Sequence, residues 1–223
     1  MVQVLKIGGS LLNYPKELKA LVNRLCNLSK EYELIAVTGG ASFADLVRYY
    51  YWELKLNEKI CHKMALLSMD LYTLLIESLS EGKALYSYSL KEALKVAKNG
   101  KLSLLMASRL ITKKLPSNWD FTSDSIAIYL AKRLKAERLI VIKDVDGIFD
   151  SDPKKNREAK LIKRISLEEL KSIKESCLDK YFPIFMRKAN FDCYIVNGLH
   201  LDRVESAIKG KEFFGTRIVK ERV

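Results

Sequence analysis

Lys6 carries more chemical content than any other residue of this chain, because it stands in the apolar run Val2-Gln3-Val4-Leu5-Lys6-Ile7, one residue before Gly8-Gly9-Ser10. A strand with such neighbours reads as buried on both faces, where an unpaired ammonium is costly or loses its proton. The lysine therefore needs an anion. Gly8 and Gly9 let backbone N–H groups approach the same anion, and a helix beginning near Pro15 can follow the loop. Phosphate meets these requirements. A lysine that snorkels to the sheet edge before an ordinary glycine turn fits the segment as well, so both readings stand on these residues alone.

Three more blocks sit where strands are expected to end. Thr38-Gly39-Gly40-Ala41-Ser42 offers a second anion cradle, although helix capping by Ser42 in a tight turn explains it equally. Phe121-Thr122-Ser123-Asp124-Ser125 is an N-cap cluster, or a place from which Asp124 orients the lysine or helps to hold a metal ion. Lys143-Asp144-Val145-Asp146-Gly147-Ile148-Phe149, followed by Asp150-Ser151-Asp152-Pro153, is first a turn, and its acidic residues miss the offsets of an EF-hand loop. In an open parallel sheet the carboxyl ends of the strands share one edge, which would bring all four blocks together.

Several chemistries are excluded by spacing. The chain has no G-x-x-x-x-G-K-[ST], no G-x-G-x-x-G and no G-x-S-x-G. His62 and His200 lack metal-ligand spacing and read as structural or surface residues, and no protein metal site is expected. Cys26, Cys61, Cys177 and Cys193 form no C-x-x-C and read as reduced core thiols. The formal net charge of +12 comes from lysines scattered along helices and interleaved with Glu, so no nucleic-acid partner is expected. Such a field gathers anionic substrates instead.

The elements that must position these blocks follow from periodicity. Apolar runs at 2–7, 33–37, 84–88, 102–107, 139–143 and 193–196 alternate with helical spacing over 15–30, 42–56, 58–80, 89–98, 123–134 and 201–209. This is an α/β chain with a parallel sheet flanked by helices. With 223 residues, 48% of them hydrophobic, one substantial core is expected, and residues 1–223 read as a single domain. No apolar stretch is long enough to span a membrane and the chain enters a strand at once, which points to the cytoplasm. The helix at 58–80 is apolar around much of its circumference, with Met64, Leu67, Leu71, Leu74 and Leu75 on one side, as if buried within a subunit and between subunits of a homo-oligomer.

In this order and at these separations, the four blocks resemble the amino acid kinase superfamily, with Val196-Asn197-Gly198 and Gly215-Thr216-Arg217-Ile218 fitting its closing strands. The string from Leu115 to Ala127 looks most like the archaeal kinases of methanofuran biosynthesis, which convert an aminomethylfuranylmethyl phosphate to its diphosphate. Uridylate and isopentenyl phosphate kinases, or a non-catalytic nucleotide-binding member, are the alternatives. The resemblance implies a three-layer α/β/α sandwich with a mainly parallel central sheet and an ATP-dependent kinase whose acceptor is a small-molecule phosphate. It implies Lys6 and Asp124 as catalytic residues. ATP would meet Gly8, Gly9, Ser10, Lys143, Asp144, Asp146, Gly147, Phe149 and Asp152, with Mg2+ held mostly by phosphates and water. Gly39, Gly40, Trp119, Thr122 and Ser123 would meet the acceptor. Many members also carry Gly-Gly-Met and then a second catalytic lysine, whereas 179–188 here lacks the glycines. Lys188 then reads as a surface residue, with Lys143 as the cation that completes the phosphate clamp.

Overall fold

The computed structural model describes residues 1–112, 115–151, 155–156, 158–173 and 176–219. Its first half runs β1 (Gln3–Ile7), α1 (Pro15–Leu28), β2 (Leu34–Thr38), α2 (Ala41–Glu53), α3 (Glu58–Leu79), β3 (Ala84–Ser87), α4 (Leu90–Lys98), β4 (Leu102–Leu105) and α5 (Ala107–Leu110). The second half adds α6 (Ser123–Arg133), β5 (Arg138–Lys143), β6 (Arg164–Ser166), α7 (Leu167–Ser172), α8 (Phe182–Arg187), β7 (Asp192–Asn197), α9 (Leu201–Ile208) and β8 (Gly215–Val219).

All eight strands join one sheet in the order β3-β4-β2-β1-β5-β7-β8-β6. The pairings are parallel except that of β7 with β8. Side chains alternate across this sheet. Val4 and Val141 enter the core on the side of α4, α6 and α8, while Leu5, Ile7, Ile140 and Ile142 enter the other, with α1 and α9. The expected α/β/α sandwich is therefore present. β4 is shorter than expected, because the chain turns at Met106 into α5. The short β6 escaped the periodicity reading because its Arg164-Ile165-Ser166 carries a single apolar residue.

Helix α3 buries one of its two apolar sides within the chain. Cys61, Leu66, Met69, Tyr72 and Ile76 are buried, yet Ile60, Met64, Leu67, Leu71 and Leu74 are exposed. Among the described residues, no helix is long and apolar enough to cross a membrane.

Candidate active site

Strand register places the two lysines of the site. Lys6 of β1 lies opposite Val141 of β5, and Lys143 follows Val141 by two residues, so both side chains leave the same face of the sheet. That face is covered by α6, whose first turn carries Asp124. Lys6 Nζ stands 2.9 Å from Asp124 Oδ1, and Lys143 Nζ stands 2.9 Å from Asp124 Oδ2. Lys143 also donates to the Cys177 carbonyl. Lys6 and Asp124 are each only 4% exposed, so this is a buried triad rather than a surface ion pair.

Burial alone would raise the Asp124 carboxyl, but the ammonium groups of Lys143 and Lys6 overcome it and hold the pKa down to about 2. Burial lowers Lys6, against the pull of Asp124. Lys143 feels the same burial, yet Asp124 and its other neighbours keep it above the ordinary value. Two ammonium groups thus share one carboxylate, leaving positive charge available to a ligand anion.

A second carboxylate builds the platform. Asp179 accepts from the Thr122 N–H at 3.0 Å, the Thr122 hydroxyl at 2.8 Å, the Ser125 N–H at 3.0 Å and the Ser125 hydroxyl. It supplies the cap that Thr122 does not give α6, and so fixes the turn bearing Asp124. Burial raises the Asp179 carboxyl, while these donors oppose the shift.

The glycine turns close the other side. A Cβ on Gly39 would lie 2.7 Å from Gly9 N, and one on Gly9 would lie 2.5 Å from Ala41 N, so the turns after β1 and β2 pack backbone on backbone. The Gly8 N–H is used by the Ile142 carbonyl and the Gly39 N–H by the Ile7 carbonyl, both at 2.8 Å. These two donors are therefore not available to a phosphate. The first N–H groups of α2 have no acceptor within their own helix, and Ala41 opens that helix in the left-handed region with φ 49°.

These parts enclose a cavity of about 440 Å³. Of the residues expected to act, Lys6, Gly8, Gly9, Ser10, Gly40, Trp119, Thr122, Ser123, Asp124, Lys143 and Asp144 line it. Asp144 accepts from the Ser10 hydroxyl. Gly39 lies beneath Gly9 instead. Asp146 is held by Asn197 at 2.8 Å and Arg203 at 2.6 Å, and Gly147 packs against Thr216 and Leu161. Phe149 bridges to Leu161, and Asp152 lies outside the described residues. Lys188 is exposed at the end of α8, away from the cavity.

Residues not expected in the site also line it: Asp45, Arg48, His62, Leu66, Met69 and Asn118. His62 is buried beside Ser117 Oγ at 3.3 Å, and burial lowers its pKa, which favours the neutral ring. The four cysteines are free thiols.

Two lysines, helix N–H groups without partners in their own helix and two glycine turns thus meet at one sheet edge. A model of the amino acid kinase family matches residues 1–182. The [5-(aminomethyl)furan-3-yl]methyl phosphate kinase of Methanocaldococcus jannaschii is 31% identical over 223 residues, covering 98% of each chain. The uridylate kinase of Thermococcus kodakarensis is 30% identical, covering 93% of this chain and 95% of its own. In three dimensions the uridylate kinase of Archaeoglobus fulgidus superposes with a TM-score of 0.80 at 22% identity, over 98% of this chain and all of that one. The chain belongs to the amino acid kinase family, and it is a phosphotransferase.

Proposed function

We propose that this protein transfers the γ-phosphoryl group of ATP to the phosphate of a small monoester, and that the monoester is [5-(aminomethyl)furan-3-yl]methyl phosphate. The observation that carries the reading is the convergence of Lys6 and Lys143 on Asp124 beside open backbone donors. An oxygen of the acceptor phosphate attacks the γ-phosphorus, the bond to the β–γ bridging oxygen breaks, and ADP leaves. The acceptor is already anionic at neutral pH, so no strong base is required. Catalysis then rests on positioning and charge neutralisation.

Lys6 faces the transferring group and Lys143 completes the clamp. Donors around Gly9, Ser10 and Gly40 hold phosphate oxygens, and Asp124 keeps both ammonium groups in place. ATP fits the donor set, since its phosphates need the cations and N–H groups gathered here. Magnesium would neutralise phosphate charge when bound; Asp144, a lining carboxylate that no lysine meets among the described residues, is the side chain for its water shell.

Identity at 31% over nearly the whole length supports the furan phosphate, while several uridylate kinase relatives support UMP as a second reading. Incubation of purified protein with ATP, Mg2+ and each acceptor, followed by product analysis, separates them. Diphosphate formation from the furan substrate at the higher kcat/KM is expected. Preference for UMP rejects the first reading, and indifference to both rejects the pair.

We further propose that the chain works as one domain in a cytoplasmic homo-oligomer joined along α3. Its exposed Ile60, Met64, Leu67, Leu71 and Leu74 follow one another at intervals of 4, 3, 4 and 3, the seam of a helix that packs on its like. Leu71→Glu should shift sedimentation from dimer to monomer. Leu71 is 51% exposed, so folding is not threatened. Identical sedimentation of the two proteins would discard the seam.

A further inference from the structure

The cavity carries both cationic and anionic side chains in its lining. Three carboxylates line it: Asp45, Asp124 and Asp144. Asp124 is ion-paired with Lys6 and Lys143, and Asp144 accepts from Ser10. Among the described residues Asp45, on α2, has only the Arg48 guanidinium one turn away, which reaches Oδ1 at 2.9 Å. Among the described residues no donor reaches Asp45 Oδ2.

The same corner is aromatic. The Arg48 guanidinium carbon stands 5.1 Å from the centroid of the Trp119 ring, within cation–π range, and Tyr51 packs against Trp119 at 5.5 Å. The Trp119 indole N–H is buried and meets no acceptor among the described residues, which leaves the ring held by its faces rather than by its polar atom. A carboxylate beside an aromatic face is a seat for a cation, and a side-chain cation already occupies it. The occupant is weakly held. The Asp45–Arg48 pair is an i,i+3 contact with side chains 72% and 46% exposed, so exchange of Arg48 for a ligand ammonium loses little.

We propose that Asp45 and the face of Trp119 form the subsite for a cationic group on the acceptor, here the ammonium of an aminomethyl arm whose phosphate lies toward Lys6. This rests on the reading of the chain as a kinase of a small phosphate monoester, and it assigns the discrimination among such monoesters. A furan phosphate bearing the arm gains the ion pair. An uncharged ring gains nothing there.

The test compares two acceptors in each protein: [5-(aminomethyl)furan-3-yl]methyl phosphate and its 5-methyl analogue, which keeps ring and phosphate but lacks the charge. The ratio of their kcat/KM values should fall about 2- to 5-fold in Asp45→Asn, the range of one exposed ion pair, mainly through KM. Trp119→Phe should keep most of the ratio, and Trp119→Leu should lose part of it. If Asp45→Asn slows both acceptors alike, or changes neither, the subsite is wrong although the kinase reading survives. If the wild-type protein phosphorylates neither furan acceptor but does phosphorylate UMP, the kinase reading for this substrate falls and the subsite falls with it.

Discussion

Replacing Asp124 with alanine should lower the unfolding free energy by about 3 kcal/mol, the lower end of the cost of breaking a buried pair. Two ammonium groups, 5% and 13% exposed at their side chains, would then face each other with no shared counter-charge. Lys6 would escape part of the penalty by losing its proton, since burial already lowers its pKa. An Asp in the first turn of a helix that merely favours the dipole is worth about 1 kcal/mol or less. Denaturant titration decides between these, as does a melting shift of roughly 6–12 °C for a domain of this size. A loss near 1 kcal/mol would reduce Asp124 to a helix-terminus residue.

The same pair makes a pH prediction whose direction follows from the depressed carboxyl. Asp124 falls from 3.8 to about 2 on folding, worth roughly 2 kcal/mol. This stability is fully present above the unfolded value and is lost as pH falls through the folded one. The wild-type protein should therefore lose more stability than Asp124→Asn between about pH 4 and pH 2. Parallel acid-unfolding curves would count against the triad.

Parts of this site were legible because burial and charge conflict within a short stretch. Lys6 stands out among Val4, Leu5 and Ile7, and a glycine pair after a strand invites a close backbone approach. That Lys6 and Lys143 share a face was not legible, because it follows from the register that pairs Lys6 with Val141. Asp179 was not legible as part of the site. Its role depends on a coil segment returning to Ser125 from 54 residues away, and nothing local marks that contact. Asp45, Arg48 and His62 were hidden for a related reason: a helix pattern shows which residues share a face, not which face meets a cavity.

The Asp146-Gly147 turn carries a structural duty that its residues alone did not show. The composition reads as a turn and the resemblance implies ATP contact there, while Gly147, with φ 149°, leaves room for Thr216 of β8, whose hydroxyl accepts from the Ile148 N–H and donates to the Ile162 carbonyl. The turn joins the last strand to the sheet. Helix α3 was ambiguous in a third way, because an apolar circumference does not tell its own core from a surface left for another chain.

Lys6→Ala should separate catalysis from stability, which Asp124→Ala cannot. Without Lys6, Asp124 keeps its contact with Lys143 at 2.9 Å, and the desolvation cost of one buried ammonium disappears. Folding stability should change by less than about 1 kcal/mol, and Lys6→Met, which refills the volume, should be neutral or slightly stabilising. Turnover is another matter. The transferring phosphoryl group spreads its negative charge over oxygens that a preorganised cation stabilises more in the transition state than in the ground state. Loss of such a group typically costs about 10³-fold, and the loss should fall on kcat with KM little changed. Lys6→Arg should not restore the rate, because a longer side chain with a planar, delocalised guanidinium carries its charge away from the point where the compact ammonium meets Asp124 at 2.9 Å. A folded Lys6→Ala protein with kcat within about tenfold of wild type would remove Lys6 from the chemistry and leave it as the structural partner of Asp124.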